Sequence, residues 1–550
     1  MSAWLGRSLI AVAALTAGCG ERPQVRFTDV TDEAGITFRY TFGDSTYQNI
    51  IESSGSGVTV FDYDGDGDLD LYLLNGTYLD GISTPDGAIF ADTPNELYRN
   101  NGDGTFTEVA AEAGLDDRHW SMGAAALDYD ADGDVDVFLA NYGPNVLFRN
   151  DGDGTFTDVT DELGLRGPAT LNGFTKWSVG ATFWDYDEDG LLDLFVCNFL
   201  AFDPELVSAA GPDVMPHPAE YRGQASALYR QEPDGRFTDV TRAAGLHYPE
   251  SMCMGATVFD FDLDGDLDLF QGNDHQENFL FRNDGGGRFT EIGRASGVAV
   301  NDQGLPTGSM HGSIGDVDGD GLVDLFVTDL RHGALYRQSA GGVFTDITRE
   351  SGVAVAFQGK GAWAAALFDF DNDQDLDIFS ANGTAEELID QLPLLMENDG
   401  TGRFQDAGPA ISPYFTVKRS GRGAAVWDYD DDGDLDIVVS HIDLAGTPAL
   451  LRNDGGNGNH WLGITLVGRD GPGSAVAATV TVEAGGRRQV LVNQWATSYL
   501  SYNDPRLHVG LAGSDGVDLL EIRWTGGETE VYRDLPADRY ITVVEGAGIR

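Results

Sequence analysis

Basic residues are scarce in this chain of 550 residues: 33 Lys+Arg stand against 90 Asp+Glu, a formal charge of −57. Nucleic acid and anionic lipid repel such a polyanion, which excludes both as direct partners and points to cations instead. Cysteine is scarcer still, with three residues and no CxxC pair. Beyond the N-terminus no segment has the length and apolarity of a transmembrane helix. Long amphipathic helical patterns are also lacking. Ser-His-Asp, HExxH and P-loop patterns do not stand out, so no familiar catalytic class is indicated. Ninety acidic residues make chance carboxylate pairs common, and spacing alone carries no argument for a glycosidase. What is present is a 41% hydrophobic content, enough for a packed core, and 73 glycines, which point to many turns.

The N-terminus, "MSAWLGRSLIAVAALTAGCGERPQ", has a basic residue, Arg7, and a short apolar stretch from Leu9 to Leu15. Small residues then lead to Cys19. It reads as a signal peptide over residues 1–18 and a lipidated tether over 19–25. "LTAGC" resembles the bacterial lipobox with Cys19 as the lipidated residue; cleavage by an ordinary signal peptidase is the plainer alternative. Either way the expectation is export, to the cell envelope as an outer-membrane lipoprotein or to the medium. Cys197 and Cys253 remain in the mature body, and the sequence leaves open a disulfide or two buried thiols.

One acidic pattern recurs seven times, its copies starting 53–75 residues apart. The copies begin at Asp62, Asp128, Asp185, Asp260, Asp316, Asp369 and Asp428. A short apolar stretch precedes each copy and another follows. Both read as buried strands joined by the acidic loop. A third strand follows, as in "NVLFRN", and then a Gly/Asp turn and a fourth, as in "GTFTDVT". Fourth strands begin at Phe106, Phe156, Phe237, Phe289, Phe344 and Phe404, and none follows the seventh loop. The missing one stands at the other end, in "RFTDVTDEAGITF" at Arg26–Phe38. A closed ring explains the offset. The expectation is all-β: a seven-bladed β-propeller over residues 26–455 whose N-terminal strand completes the last blade, plus a small β-rich domain over 456–550.

Aspartates at positions 1, 3 and 5, a carbonyl at position 7 and an aspartate at position 9 can form an oxygen cage suited to Ca²⁺. The candidate ligands are Asp62, Asp64, Asp66, Asp68 and Asp70; Asp128, Asp130, Asp132, Asp134 and Asp136; Asp185, Asp187, Asp189, Leu191 and Asp193; and Asp260, Asp262, Asp264, Asp266 and Asp268. The remaining three loops offer Asp316, Asp318, Asp320, Leu322 and Asp324; Asp369, Asp371, Asp373, Asp375 and Asp377; and Asp428, Asp430, Asp432, Asp434 and Asp436. Without a cation, carboxylates ~4 Å apart repel by about 1 kcal/mol in water and about 4 kcal/mol when partly buried. Up to seven structural calcium ions are expected. The sixth loop departs, with Gln374 where the others carry glycine.

The repeats resemble FG-GAP/VCBS repeats, whose best-known home is the seven-bladed propeller of integrin α-chains. The resemblance implies calcium binding on one face of the ring. Past Asn459, the stretches "NHWL", "LHVGL" and "VDLLEIRWTGGE" resemble the ASPIC/UnbV domain. Together the two parts are similar to the layout of the cartilage acidic protein family and its bacterial relatives. The chain departs from that pattern at "SAVAATVTV" and at "NQWATSYLSYND".

Loops on the other face carry the residues expected to meet a ligand: His119, Trp120, Lys176, Trp177, His311, Lys360, Trp363 and Arg419. The alternative is that they plug the central channel. Two inserts, 76–95 and 199–227, lie on the same side. The expected function is an extracytoplasmic calcium-binding adhesion module for a glycan or a protein. A carbohydrate-active enzyme of lyase type on the same face, and an envelope scaffold, are the alternatives.

Overall fold

A computed structural model describes residues 25–550, except 213, 331–332, 386, 444, 457, 470, 472–474 and 497. The expected signal peptide and Cys19 lie outside the described residues. Among those described, no helix is long and apolar enough to cross a membrane.

The chain is all-β, as expected. Each acidic loop joins two antiparallel strands whose residues are almost all buried. In the second repeat these are Trp120–Leu127 and Asp136–Tyr142, followed outward by Val146–Asn150 and Phe156–Asp158. The same four-stranded antiparallel sheet is built seven times among the described residues, the fourth and fifth copies joined by a short pairing between Asp274 and Gly308. The last sheet takes its outer strand from the N-terminus: Phe27, Thr28 and Asp29 pair with Asn453, Arg452 and Leu451. The first strands of successive sheets pack side by side in chain order, and the first, Val58–Phe61, adjoins the last, Gly421–Trp427. The arrangement is a propeller-like ring. Single helical turns such as Thr160–Leu163 follow the fourth strands; Gly164 ends this one at φ 81°, a conformation that favours glycine.

A side-chain latch binds each sheet to the one before it. The last Asn or Gln of every third strand donates to the carbonyl of the second residue of the preceding acidic loop. Asn150 reaches Tyr63, Gln231 Tyr129, Asn283 Tyr186, Asn398 Val317 and Asn453 Phe370, at 2.8–3.3 Å. Gln338 reaches Phe261 in the same way. Asn100 of the first sheet reaches Tyr429 of the last, at 2.9 Å. The latches therefore run round the ring without a break. Between the third and fourth sheets a disulfide joins Cys197 to Cys253, with Cα atoms 5.2 Å apart.

After residue 456 two further four-stranded sheets pack on their own core, which includes Leu462, Ile464, Val480, Leu520 and Trp524. This domain sends residues 494–496 and 498–504 into the middle of the ring. Tyr502 exchanges backbone hydrogen bonds with Val58 (2.9 Å) and Val60 (3.2 Å) of the first sheet. Its hydroxyl donates to Ala181 of the third, and Asp504 N–H to Val426 of the last. A segment touching sheets so far apart in the ring occupies its centre. Gly57 shows why the inner strands carry glycine: a Cβ there would lie 2.4 Å from the Leu500 carbonyl and 2.5 Å from that of Met122.

Candidate metal centres and the sealed channel

The loops gather their carboxylates as the spacing predicts. Asp62, Asp64 and Asp66 bring oxygens within 4.8 Å of one another, as do Asp316, Asp318 and Asp320. In the second, third and fourth loops the triads are Asp128, Asp130 and Asp136; Asp185, Asp187 and Asp193; and Asp260, Asp262 and Asp268. Two further groups of this kind occur among the described residues.

Each loop folds around its first aspartate. Asp62 accepts from Gly65 N–H (2.8 Å) and Gly67 N–H (3.0 Å), which closes the turn. The ninth residue ties the turn to the sheet: Asp70 accepts from Tyr63 N–H (3.0 Å) and Asn100 N–H (2.8 Å). Asp136, Asp193, Asp268, Asp324, Asp377 and Asp436 repeat this pair. The ninth aspartate thus has a bracing role that its position in a ligand pattern did not disclose. In the sixth loop Gln374 keeps the turn, at φ 79°, and its N–H still reaches Asp369 (2.8 Å).

Without a cation these sites are electrostatically uncomfortable. Burial pushes Asp70 up to about 8, Asp136 and Asp193 likewise to about 8, and Asp268 to about 9; neighbouring loop aspartates add to each rise. Buried oxygens are also left over. Oδ1 of Asp187, Asp260, Asp262 and Asp318 makes no hydrogen bond among the described residues. An unpaired buried carboxylate oxygen is costly, and a hard cation is what such an all-oxygen donor set accepts best. The residues therefore fit a metal of that class.

The ligand-binding ring expected on the other face is corrected. Trp120, Trp177 and Trp363 are 1%, 0% and 2% exposed, and Lys176 and His311 are equally buried. Trp177 packs edge-on against Phe199 and Tyr142. Trp363 is sandwiched between Tyr499 of the inserted segment and the guanidinium of Arg422 at 4.0 Å. Lys176 donates to the Arg166 carbonyl, and burial brings its ammonium down to about 8. The physical reason is that the channel is filled from one side by residues 494–496 and 498–504, while Phe199 and Phe202 cover Trp177. From the other side it is covered by residues 40–56, where Arg422 donates to the Ser53 carbonyl and Tyr40 to that of Ser54. His119, Lys360 and Arg419 are the ring members with exposed or half-buried side chains. His119 pairs with Asp117 (2.9 Å), Lys360 caps the Ala356 carbonyl (2.6 Å), and Arg419 pairs with Asp443. The residues brought together are packing and capping groups. The signal that would have found the plug was the altered "NQWATSYLSYND", read only as a departure from pattern.

Known proteins share both parts of this chain. Residues 79–139, 128–196, 260–327 and 316–380 match the FG-GAP-like repeat. Residues 468–550 match the ASPIC and UnbV domain. Cartilage acidic protein 1 of Mus musculus is 26% identical over 77% of this chain and 64% of its own length; that of Homo sapiens is 27% identical over 50% and 41%. The chain thus spans less than two thirds of the curated relatives it matches. A solved Agrocybe aegerita lectin that recognises terminal N-acetylglucosamine is 15% identical and covers 72% of this chain and 94% of its own. Its TM-score of 0.38 carries no argument about this chain's ligand. The chain carries FG-GAP-like repeats in a propeller-like ring and a C-terminal ASPIC and UnbV domain, and in both it is similar to cartilage acidic protein 1.

Proposed function

We propose that this is an exported, calcium-stabilised adhesion module whose ligand is a protein. The observation supporting calcium is the set of buried, unpaired aspartate oxygens in loops of all-oxygen donors. The Cys197–Cys253 bond supports an oxidising compartment. The ligand reading rests on the face opposite the acidic loops. Ile89, Val207, Leu305, Val355, Ile389 and Val417 stand exposed there, Ile89 by 81% and Val355 by 79%, on loops of several sheets. All three lysines of the chain, Lys176, Lys360 and Lys418, precede inner strands on that side. Exposed apolar side chains on several loops of one face favour a protein partner. A glycan reading needs accessible aromatic faces, and the tryptophans expected to supply them are buried.

Two measurements test the proposal. Excess chelator should lower the melting temperature sharply, with Ca²⁺ restoring it and Mg²⁺ restoring it poorly; an unchanged melting curve sinks the calcium reading. Saturable binding to envelope or matrix protein should be lost in Ile89→Asp/Val355→Asp while folding is kept. Glycan-array binding that survives this double substitution would overturn the protein reading.

A further inference from the structure

The seven acidic loops are not equally open to solvent. The C-terminal domain lies against the face that carries them: Arg523 pairs with Asp260 of the fourth loop, and among the described residues the domain makes its most numerous hydrogen bonds at the sixth and seventh. At the seventh loop Arg506 donates to the Asp428 carbonyl (2.9 Å) and to Asp431 (2.7 Å), and Tyr540 donates to the Asp428 carboxylate. The guanidinium of Arg506 lies 4.2 Å over the Tyr540 ring, and Asp504 anchors it from behind. Trp461 sits on Gly433 so closely that a Cβ there would meet the indole at 1.9 Å. At the sixth loop His508 bonds Asn372 (2.6 Å), Ala512 N–H reaches the Asn372 carbonyl (2.8 Å) and Asn459 that of Asp371 (2.8 Å). Asn372 in turn bonds Gly433 and Asp434, so the two loops form one seat. The first loop is different: among the described residues, Asp62, Asp64, Asp66, Asp68 and Asp70 make no hydrogen bond or ion pair to the C-terminal domain, whereas Asp428 and Asp431 of the seventh do.

These contacts grip backbone carbonyls and turn residues whose positions exist only while the loops are closed. Crowded carboxylates oppose closure and a cation favours it. We infer that cation binding at the sixth and seventh loops and docking of the C-terminal domain are one coupled equilibrium, with residues 498–504 withdrawn from the ring when the cation leaves. This rests on the calcium reading above. Linkage then works both ways: calcium strengthens docking, and docking strengthens calcium binding at these loops by the same factor.

The test uses the full chain and hydrogen exchange of the amides of Tyr502 and Asp504, which bond the inner strands. Asp430, at position 3, is the second candidate ligand of the seventh loop and makes no hydrogen bond or ion pair to the C-terminal domain among the described residues. Asp430→Asn in saturating calcium should speed exchange at both amides at least about fivefold, the low end of ordinary coupling. Asp64→Asn, the matching change in the first loop, should not. Chelating the unmodified chain should reproduce the Asp430→Asn effect. As the reciprocal arm, Tyr540→Phe keeps the ring and loses only the hydroxyl. It should weaken calcium binding at one or two sites in a native mass-spectrometric titration and leave the others unchanged. If chelation lowers the melting temperature but exchange at Tyr502 and Asp504 stays slow, the calcium reading survives and the coupling is overturned. If no calcium binds at all, the calcium reading itself is lost.

Discussion

The amide latches give the sharpest test of a closed ring. Asn150 donates to Tyr63 O (2.9 Å) and Val135 O (3.2 Å) and accepts from Gly152 N–H (3.1 Å). Alanine there strands two carbonyls beneath packed strands, while Gly152 is exposed and can turn to water. A buried acceptor left unsatisfied costs about 1–3 kcal/mol, so stranding two should make Asn150→Ala cost about 2–6 kcal/mol. Asn100 makes the equivalent bonds to Leu69 and Tyr429, but Tyr429 belongs to the last sheet. In a closed ring Asn100→Ala costs as much as Asn150→Ala. In an open array the bond to Tyr429 would not exist and the cost would fall by about half. Urea unfolding in saturating calcium measures both variants against the unmodified chain. A loss for Asn100→Ala of only about half that for Asn150→Ala would refute ring closure. Equal small losses in both would refute the latch itself.

Three further outcomes follow from the same geometry. His311 is buried against the inner strands and its imidazole is pushed down to about 4, chiefly by desolvation. The unfolded chain takes up a proton near 6.5 and the folded one only near 4, so its contribution is complete above about 6.5 and lost as pH falls toward 4. At 1.36 kcal/mol per unit the loss is about 3 kcal/mol, and His311→Asn should flatten that part of the stability–pH curve; an unchanged acid limb would refute the burial argument. Deleting residues 26–38 removes the outer strand of the last sheet and should lower the urea midpoint in calcium more than removing residues 1–24; equal midpoints would deny that strand its place. Replacing Cys253 by Ser frees a loop of sequence separation 56. It should cost up to about 4 kcal/mol on the chain-entropy estimate, measured by the same unfolding assay, and no change would mean the pair is not bonded in solution.

The ring was legible in the sequence because its signals are local and repeated. An acidic turn between two apolar runs reports two strands and their connection within fifteen residues, and the stranded "RFTDV" at Arg26–Val30 reports closure by counting. The latches were also written there, as the Asn or Gln ending "LYRN", "LFRN" and "LYRQ", but one amide looks like any other until its partner, 77 or more residues away, is known. The mouth was misread for a related reason. Trp120, Trp177 and Trp363 stand beside polar loops in sequence, and what buries them comes from elsewhere: residues 40–56 cover Trp120, Phe199 and Phe202 cover Trp177, and Tyr499 of the inserted segment covers Trp363.

That error has a common physical source with the inequality of the acidic loops. Repeats make one blade predict the next, so pattern reading treats seven loops as equivalent. The C-terminal domain breaks the symmetry because it is a single body set against a sevenfold face. It can place Arg506 and Tyr540 in one loop and Arg487 beside Asp375 in another, and still bond none of the aspartates of the first among the described residues. Gln374 belongs to the same asymmetry. Its side chain donates to the Ala484 carbonyl (3.3 Å), a contact glycine could not make. The one loop whose pattern fails is thus a loop that the second domain holds, and the departure from the repeat marks an interface.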